Sequence, residues 1–151
     1  MARPLSLGSM MGAARLKRLK RLFRKGRRYS DGTYWKARDD LHYYRYIKEI
    51  VDFFAEECDS VVDVGSGNTP VLEWFPWASR RLSLDIRVPY SSETVTGRQC
   101  DILETRDIPR HDLCLCLQVL EHIPEPEPFA QRLVELGRIV VLSVPYQWDP
   151  G

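Results

Sequence analysis

The stretch Val61-Val-Asp-Val-Gly-Ser-Gly-Asn-Thr69 is an apolar run that carries one acid and then breaks into a tight Gly-x-Gly turn. An apolar run of this length reads as a strand buried on both faces. Gly65 and Gly67 let the backbone turn sharply and let a ligand come close to main-chain amides at the start of a following helix. A second acid, Asp85, closes the next apolar run, Leu82-Ser-Leu-Asp-Ile86, twenty residues past Gly65. At that distance an acid can accept both hydroxyls of a ribose. Asp63 lies inside the first run, where a buried carboxylate needs a cationic or donor partner to offset its desolvation. A ligand ammonium group would supply one.

Working outward, four apolar runs stand at 61–64, 82–86, 113–119 and 138–144, with a weaker one at 97–103. Between the first two, Thr69 is placed to cap a short helix that starts with Pro70 and carries Val71, Leu72, Trp74 and Phe75. Between the last two, the prolines at 124, 126 and 128 introduce a helix whose Phe129, Leu133 and Leu136 share a face and which Gly137 ends. Upstream, Leu41, Tyr44, Ile47, Val51 and Phe54 space out a helix over 38–58 with one apolar face. Strands alternating with helices predict a parallel, helix-covered α/β sheet.

At 151 residues the chain is one domain in size. Apolar content of 44% with 28% charged residues excludes disorder throughout. No apolar stretch reaches the roughly 18–20 residues that cross a bilayer. Four cysteines without a signal peptide predict reduced thiols in a cytosol-like, cytoplasmic setting. Cys114 and Cys116 would share one strand face as small buried side chains. Charge is uneven. Residues 1–30 hold ten Lys or Arg and no acid, and residues 31–151 hold twelve basic and twenty-one acidic side chains. An acidic domain over 31–151 thus carries a basic tail over 1–30. Leu16, Leu19, Leu22 and Phe23 recur between cations, so residues 15–28 either form an amphipathic helix on an anionic surface or remain a solvated tail. A nucleic-acid role is disfavoured by the acidic remainder and the absence of a recognition motif.

Asp63-x-Gly65-x-Gly67, Asp85, Cys100-Asp101-Ile102 and Leu117-Gln-Val-Leu-Glu-His-Ile-Pro124 resemble, in order and spacing, the class I S-adenosylmethionine-dependent methyltransferases, in particular the methyltransferase-11/23-like group. The resemblance covers about residues 38–147. It implies a Rossmann-like parallel sheet sandwiched by helices, S-adenosylmethionine as cofactor, and methyl transfer to an O or N atom of a small-molecule or glycan-like acceptor. It also implies that Asp63, Gly65, Ser66 and Gly67 hold the methionine part of the cofactor, and that Asp85 holds the ribose hydroxyls with Ile86 beside the adenine. Asp101 with Ile102 would meet the adenine amino group, and Gln118 would lie near the sulfonium. The competing dinucleotide loop would need glycine where Pro70 stands, and it has no use for Asp63 or Asp101.

His122 is the candidate base for an attacking hydroxyl or amine, with a cap-like role as the alternative; Glu121 reads as structural. No metal site is expected from this pair alone. Tyr34, Trp35, Tyr43, Tyr44 and Tyr46 read chiefly as core aromatics, and Pro145-Tyr-Gln-Trp148 either borders an acceptor pocket or packs. The family's fold adds a further helix and two strands after the fifth strand, so the domain is expected to lack its last two strands and to expose residues 138–144 as an apolar edge. That edge invites self-association. A cofactor-binding module without catalysis is the alternative function.

Overall fold

The computed structural model describes Trp35 and residues 41–145. The basic tail over 1–30, the 15–28 surface contact, Tyr34 and Tyr146–Trp148 lie outside the described residues.

Five parallel strands form one sheet in the order β3-β2-β1-β4-β5. They are β1 (Ser60–Val64), β2 (Arg80–Asp85), β3 (Thr96–Gln99), β4 (His111–Leu117) and β5 (Gly137–Ser143). β1 is central, and all five of its residues are buried. Successive strand residues point to opposite faces, so an uninterrupted apolar run feeds two cores at once. Val61, Leu113, Leu115 and Val141 pack on one face with Ile47 and Val51 of helix α1 (His42–Asp52) and with Val71, Leu72 and Phe75. Val62, Val64, Leu84, Cys114 and Cys116 pack on the other with Phe129, Leu133 and Leu136 of helix α2 (Pro126–Leu136). Cys114 and Cys116 thus share a face, and all four cysteines are free thiols. Burial pushes the Cys114 thiol up to about 12, which keeps it an apolar filler.

Three elements are shorter than the sequence predicts. The helix begun at Pro70 is a single 3-10 turn, Val71–Trp74. Pro76 follows within two residues of that turn, and the residue before a proline is driven out of the helical region. Thr69 does not cap it. Its hydroxyl turns back to donate to the Ser66 carbonyl. α1 stops at Asp52, and only a 3-10 turn (Ala55–Glu57) follows before Cys58 becomes extended to enter β1. The strand expected over 97–103 ends at Gln99, because the Asp101 carbonyl then accepts from the Glu104 and Thr105 amides and closes a turn.

Gly137 ends α2 with an extended φ of −123° and is at once the first residue of β5. A Cβ there would stand 2.5 Å from Cys114 Cβ and 2.7 Å from the Ile139 carbonyl oxygen. Glycine therefore serves close helix-to-strand packing at this position, not a left-handed turn. No helix joins β2 to β3. The connection runs close over β3, where a Cβ on Gly97 would meet the Tyr90 carbonyl oxygen at 2.6 Å. Glu73 fastens it, accepting from Tyr90 (3.1 Å), Ser92 (2.5 Å) and Thr94 (3.1 Å). Among the described residues, no helix is long and apolar enough to cross a membrane.

Candidate functional site

β1 lies between β2 and β4, so the chain leaves β1 toward one side of the sheet and leaves β4 toward the other. Loops that diverge in this way open a crevice beyond the carboxyl ends of the two strands, the usual ligand position in open α/β sheets. The crevice floor is tightly built. Gly65 adopts φ +81°, and an added Cβ would stand 2.5 Å from Val119 Cγ2 in the loop after β4. Gly67 (φ +54°) and Asn68 (φ +60°) continue the left-handed course, one that glycine and asparagine adopt at low cost. The amides of Gly65 and Ser66 both donate to the Leu84 carbonyl, at 2.7 and 3.2 Å. Only a 3-10 turn follows, so no α-helix N-terminus stands behind the loop, and the amides of Gly65, Ser66, Gly67 and Thr69 are all engaged within the fold.

Ser66 is buried, and its hydroxyl faces β2. The Ser83 hydroxyl donates to it at 2.8 Å, and the Tyr90 amide approaches both oxygens, at 3.3 Å to Ser66 and 3.0 Å to Ser83. Ser66 therefore braces the glycine loop against β2.

The three acids of the motif differ in how well they are satisfied. Asp85 accepts from the Gly67 amide at 2.9 Å with one oxygen, and from the Arg87 and Val88 amides at 2.6 and 3.1 Å with the other. It ties the loop after β1 to the loop after β2, and the neighbouring Ile86 is exposed. Asp101 accepts from the Leu103 amide at 2.9 Å and so organises its own turn. The Ile102 side chain is buried in the core under α2, and Arg132 clamps this connection by donating to the Ile102 and Thr105 carbonyls at 3.1 and 3.0 Å. Asp63 is only 3% exposed, and among the described residues its carboxylate has neither a hydrogen-bond donor nor a cation. Burial, and secondarily the Asp85 charge, push it up to about 7.

Opposite the acids, β4 ends at Gln118, a left-handed non-glycine residue with φ +57°. Such a conformation costs about 1–3 kcal/mol and concentrates at functional positions. The Gln118 amide donates to the Ser143 carbonyl at 3.0 Å, and its side-chain Nε2 donates to Ser143 Oγ at 3.4 Å. Tyr43 of α1 reaches the same oxygen at 2.5 Å. Burial holds the Tyr43 phenol up to about 12, so it is neutral at physiological pH. Tyr43 is one of the aromatics that the sequence reads as core packing or, alternatively, as a cover for the cofactor or substrate, whereas Ser143 does not stand out in the sequence as a site residue. The signal that finds Ser143 is the β4–β5 register, which sets it opposite Leu117, one residue before Gln118.

His122 closes the single turn Leu120–His122 after β4. Its side chain is 53% exposed, with Nε2 3.9 Å from Glu121 Oε1. Glu121 is the buried member, and among the described residues its Oε2 has no hydrogen-bond partner. Trp35, Tyr44 and Trp74 pack ring against ring, at centroid separations of 4.9–5.5 Å, and are core aromatics, whereas Tyr46 is exposed. No group of three or more His, Cys, Asp or Glu side chains among the described residues could hold a metal ion.

No protein-family model and no curated protein matches the chain. Solved structures do. A 1,6-didemethyltoxoflavin-N1-methyltransferase from Burkholderia thailandensis, with 1,6-didemethyltoxoflavin and S-adenosylhomocysteine bound, superposes with a TM-score of 0.60 at 21% identity, covering 91% of this chain and 62% of that one. The N-methyltransferase NodS from Bradyrhizobium japonicum, in complex with S-adenosylhomocysteine, gives 0.56 at 14% identity over 74% of this chain and 64% of the other. A sugar N-methyltransferase from Streptoalloteichus gives 0.51 at 16% identity over 78% and 53%. The fold is therefore the Rossmann-like class I methyltransferase fold, and the chain spans less than two thirds of the length of each of these proteins.

Proposed function

We propose that this chain binds S-adenosylmethionine at the β1–β4 crevice and directs its methyl group to an O or N atom of a small-molecule or glycan-like acceptor. One observation carries the reading. Asp63 is a buried acid without a partner among the described residues, at the place where a ligand ammonium group would relieve its desolvation. Gly65 and Gly67, lacking Cβ atoms, let the amino-acid part of such a ligand lie close against the loop backbone. Ser66 supports that loop from behind. Asp85 uses its two oxygens for three amides, which leaves one lone-pair site, on Oδ2, for a ribose hydroxyl. Ile86 offers an apolar surface to a base, Asp101 an oxygen to its amino group, and Ile102 only its backbone, since its side chain is in the core. Gln118 lies toward the sulfonium.

When bound, the cofactor supplies an electrophilic methyl group on a good leaving group. The protein's part is then chiefly positioning. His122, exposed at the lip of β4, takes the proton of an attacking hydroxyl or amine. Two of the neighbours named above, the 1,6-didemethyltoxoflavin and the sugar methyltransferases, support an acceptor of that size. The remaining proposals are smaller. Residues 15–28 contact an anionic surface, the 138–144 edge pairs with a second copy of the chain, and the protein works in the cytoplasm.

Calorimetry with S-adenosylhomocysteine tests the reading. Binding that is lost or strongly weakened in Asp85→Ala supports it. Absence of binding, or binding indifferent to Asp85→Ala, overturns it.

A further inference from the structure

Arg132 stands where the helix pattern calls for an apolar residue. Phe129, Leu133 and Leu136 form the inner face of α2, and Arg132 shares that face at 9% exposure. A guanidinium there gives up its hydration, and packing alone would be served by methionine or leucine. Its donors reach across to the connection after β3. Nε donates to the Ile102 carbonyl at 3.1 Å and Nη2 to the Thr105 carbonyl at 3.0 Å. Nη1 pairs with the half-exposed Glu135 at 2.8 Å.

Those two carbonyls belong to the turn that Asp101 opens. The turn follows an edge strand. β3 pairs with β2 alone, and the Cys100 amide then donates to the Asp85 carbonyl at 2.9 Å. Beyond that bond the turn is closed on itself, by the Glu104 and Thr105 amides to the Asp101 carbonyl and by the Leu103 amide to Oδ1. Such local bonds fix the shape of a turn and leave its place on the sheet to others. The Ile102 side chain anchors it in the core, and the planar fork of Arg132 adds two directed bonds that fix its height and tilt.

We propose that Arg132 is a positioning residue: it sets the Asp101 turn against α2 and thereby gives the site its preference for a base with a 6-amino group over one with a 6-oxo group. The inference rests on the cofactor reading above, in which Asp101 offers an oxygen to the base. Selection by a hydrogen bond requires its acceptor to be held within about 0.5 Å. A turn free to shift would leave Asp63 and Asp85 to bind the rest of the ligand, and the two bases would no longer be told apart.

The test compares dissociation constants of S-adenosylhomocysteine and its 6-oxo analogue, S-inosylhomocysteine, by calorimetry. The wild type binds the adenine ligand about tenfold more tightly, the scale of one hydrogen bond to a charged group. In Arg132→Met the ratio falls to about two, with S-inosylhomocysteine nearly unchanged. A hollow of about 310 Å³ beside Arg132, lined also by Leu103, Arg106 and Gln131, gives water a path to the freed carbonyls and keeps this variant folded. Should it unfold nonetheless, Arg132→Lys carries the test, since it keeps the charge, loses the fork and lowers the ratio less. Glu135→Gln spares both carbonyl bonds and keeps the full ratio. In an Asp101→Ala background, Arg132→Met lowers the ratio no further. Without ligand, the Glu104 and Thr105 amides exchange faster in Arg132→Met than in the wild type. Failure of the wild type to bind S-adenosylhomocysteine breaks the cofactor reading itself. With that binding intact, a wild-type ratio of one, a ratio unchanged in both Arg132 variants, or equal weakening of the two ligands overturns the present inference.

Discussion

Asp112 and Asp63 lie on neighbouring strands at opposite ends of the same sheet, and they are treated in opposite ways. At the amino end, Asp112 accepts from the Ser60 amide (3.0 Å), the Asp59 amide (3.1 Å) and the Ser60 hydroxyl (2.6 Å). The Ser60 hydroxyl, together with those amides, holds its carboxyl below the usual carboxylate range. Asp59 beside it is likewise engaged, by the Ser79 amide and hydroxyl. At the carboxyl end, Asp63 is deeper yet has no donor among the described residues, and burial raises it to about 7. An acid that has found all its partners is part of what the fold needs. On the proposed reading, an acid left without one waits for a ligand, and the two ends of the sheet divide stability from binding.

The sharpest way to break this division is to exchange the two losses. Asp63→Ala is expected to weaken S-adenosylhomocysteine by about 100–1000-fold, the cost of stranding a buried ammonium group. Asp112→Ala should leave the affinity of the folded protein unchanged. Calorimetry on both variants decides it, and equal losses would erase the distinction. Next in size, Asp112→Ala leaves three donors at the foot of β1 without an acceptor, which should cost about 2–3 kcal/mol of stability. Thermal unfolding should fall by roughly 5–10 °C, and an unshifted melting temperature would show that these bonds are dispensable.

The pH dependence of the two acids should run in opposite directions. Native Asp63 holds its proton up to about pH 7, whereas the unfolded chain releases it near pH ~4. The native state therefore binds the extra proton, and stability declines as pH rises from about 4 to about 7. Asp63→Asn removes this penalty. Its advantage over the wild type should be negligible near pH 4 and grow to about 1–3 kcal/mol above pH 7. Asp112 is lowered, so its contribution is present at neutral pH and fades only as pH drops below about 4. Denaturant titrations across pH 4–8 separate the two trends, and a flat difference between Asp63→Asn and wild type would refute the first. The smallest effect is linked to the same proton. Near pH 6.5 a ligand ammonium group should displace a fraction of a proton from Asp63, read as a dependence of the calorimetric enthalpy on the buffer's ionisation heat. Loss of that dependence in Asp63→Asn assigns it.

Much of this arrangement was legible in the sequence, and what was not has a physical cause. β1 and β4 are apolar because both faces of each are covered, and that leaves a continuous run in the chain, while β2 and β5 keep apolar runs although each is partly exposed. Gly65 and Gly67 are legible because nothing else turns left-handed so cheaply. The 3-10 turn at Val71–Trp74 was overestimated because a helical period over five residues cannot be told from one turn, and Pro76 decides the matter. The strand at Thr96–Gln99 was set too late because Asp101 competes for the backbone of its own segment. The hydroxyl of Ser66 accepts from Ser83, a pairing that the β1–β2 register brings about and that no local pattern announces. Tyr43 and Ser143 meet across one hundred residues, and no local pattern encodes such a meeting.

One consequence of the junction at Gly137 concerns tolerance to insertion. Helix α2 passes into β5 with no intervening residue, so the helix acts as a ruler for the strand that follows. One residue added between Leu136 and Gly137 would slip β5 by half a pleat period and turn over every side chain on it. Ile139 and Val141 would leave one core for the other, and the residue brought beside Tyr43 would no longer be Ser143. A single codon at a place remote from the crevice would thus rewrite its far wall, while point substitutions on the solvent face of α2 would pass unnoticed.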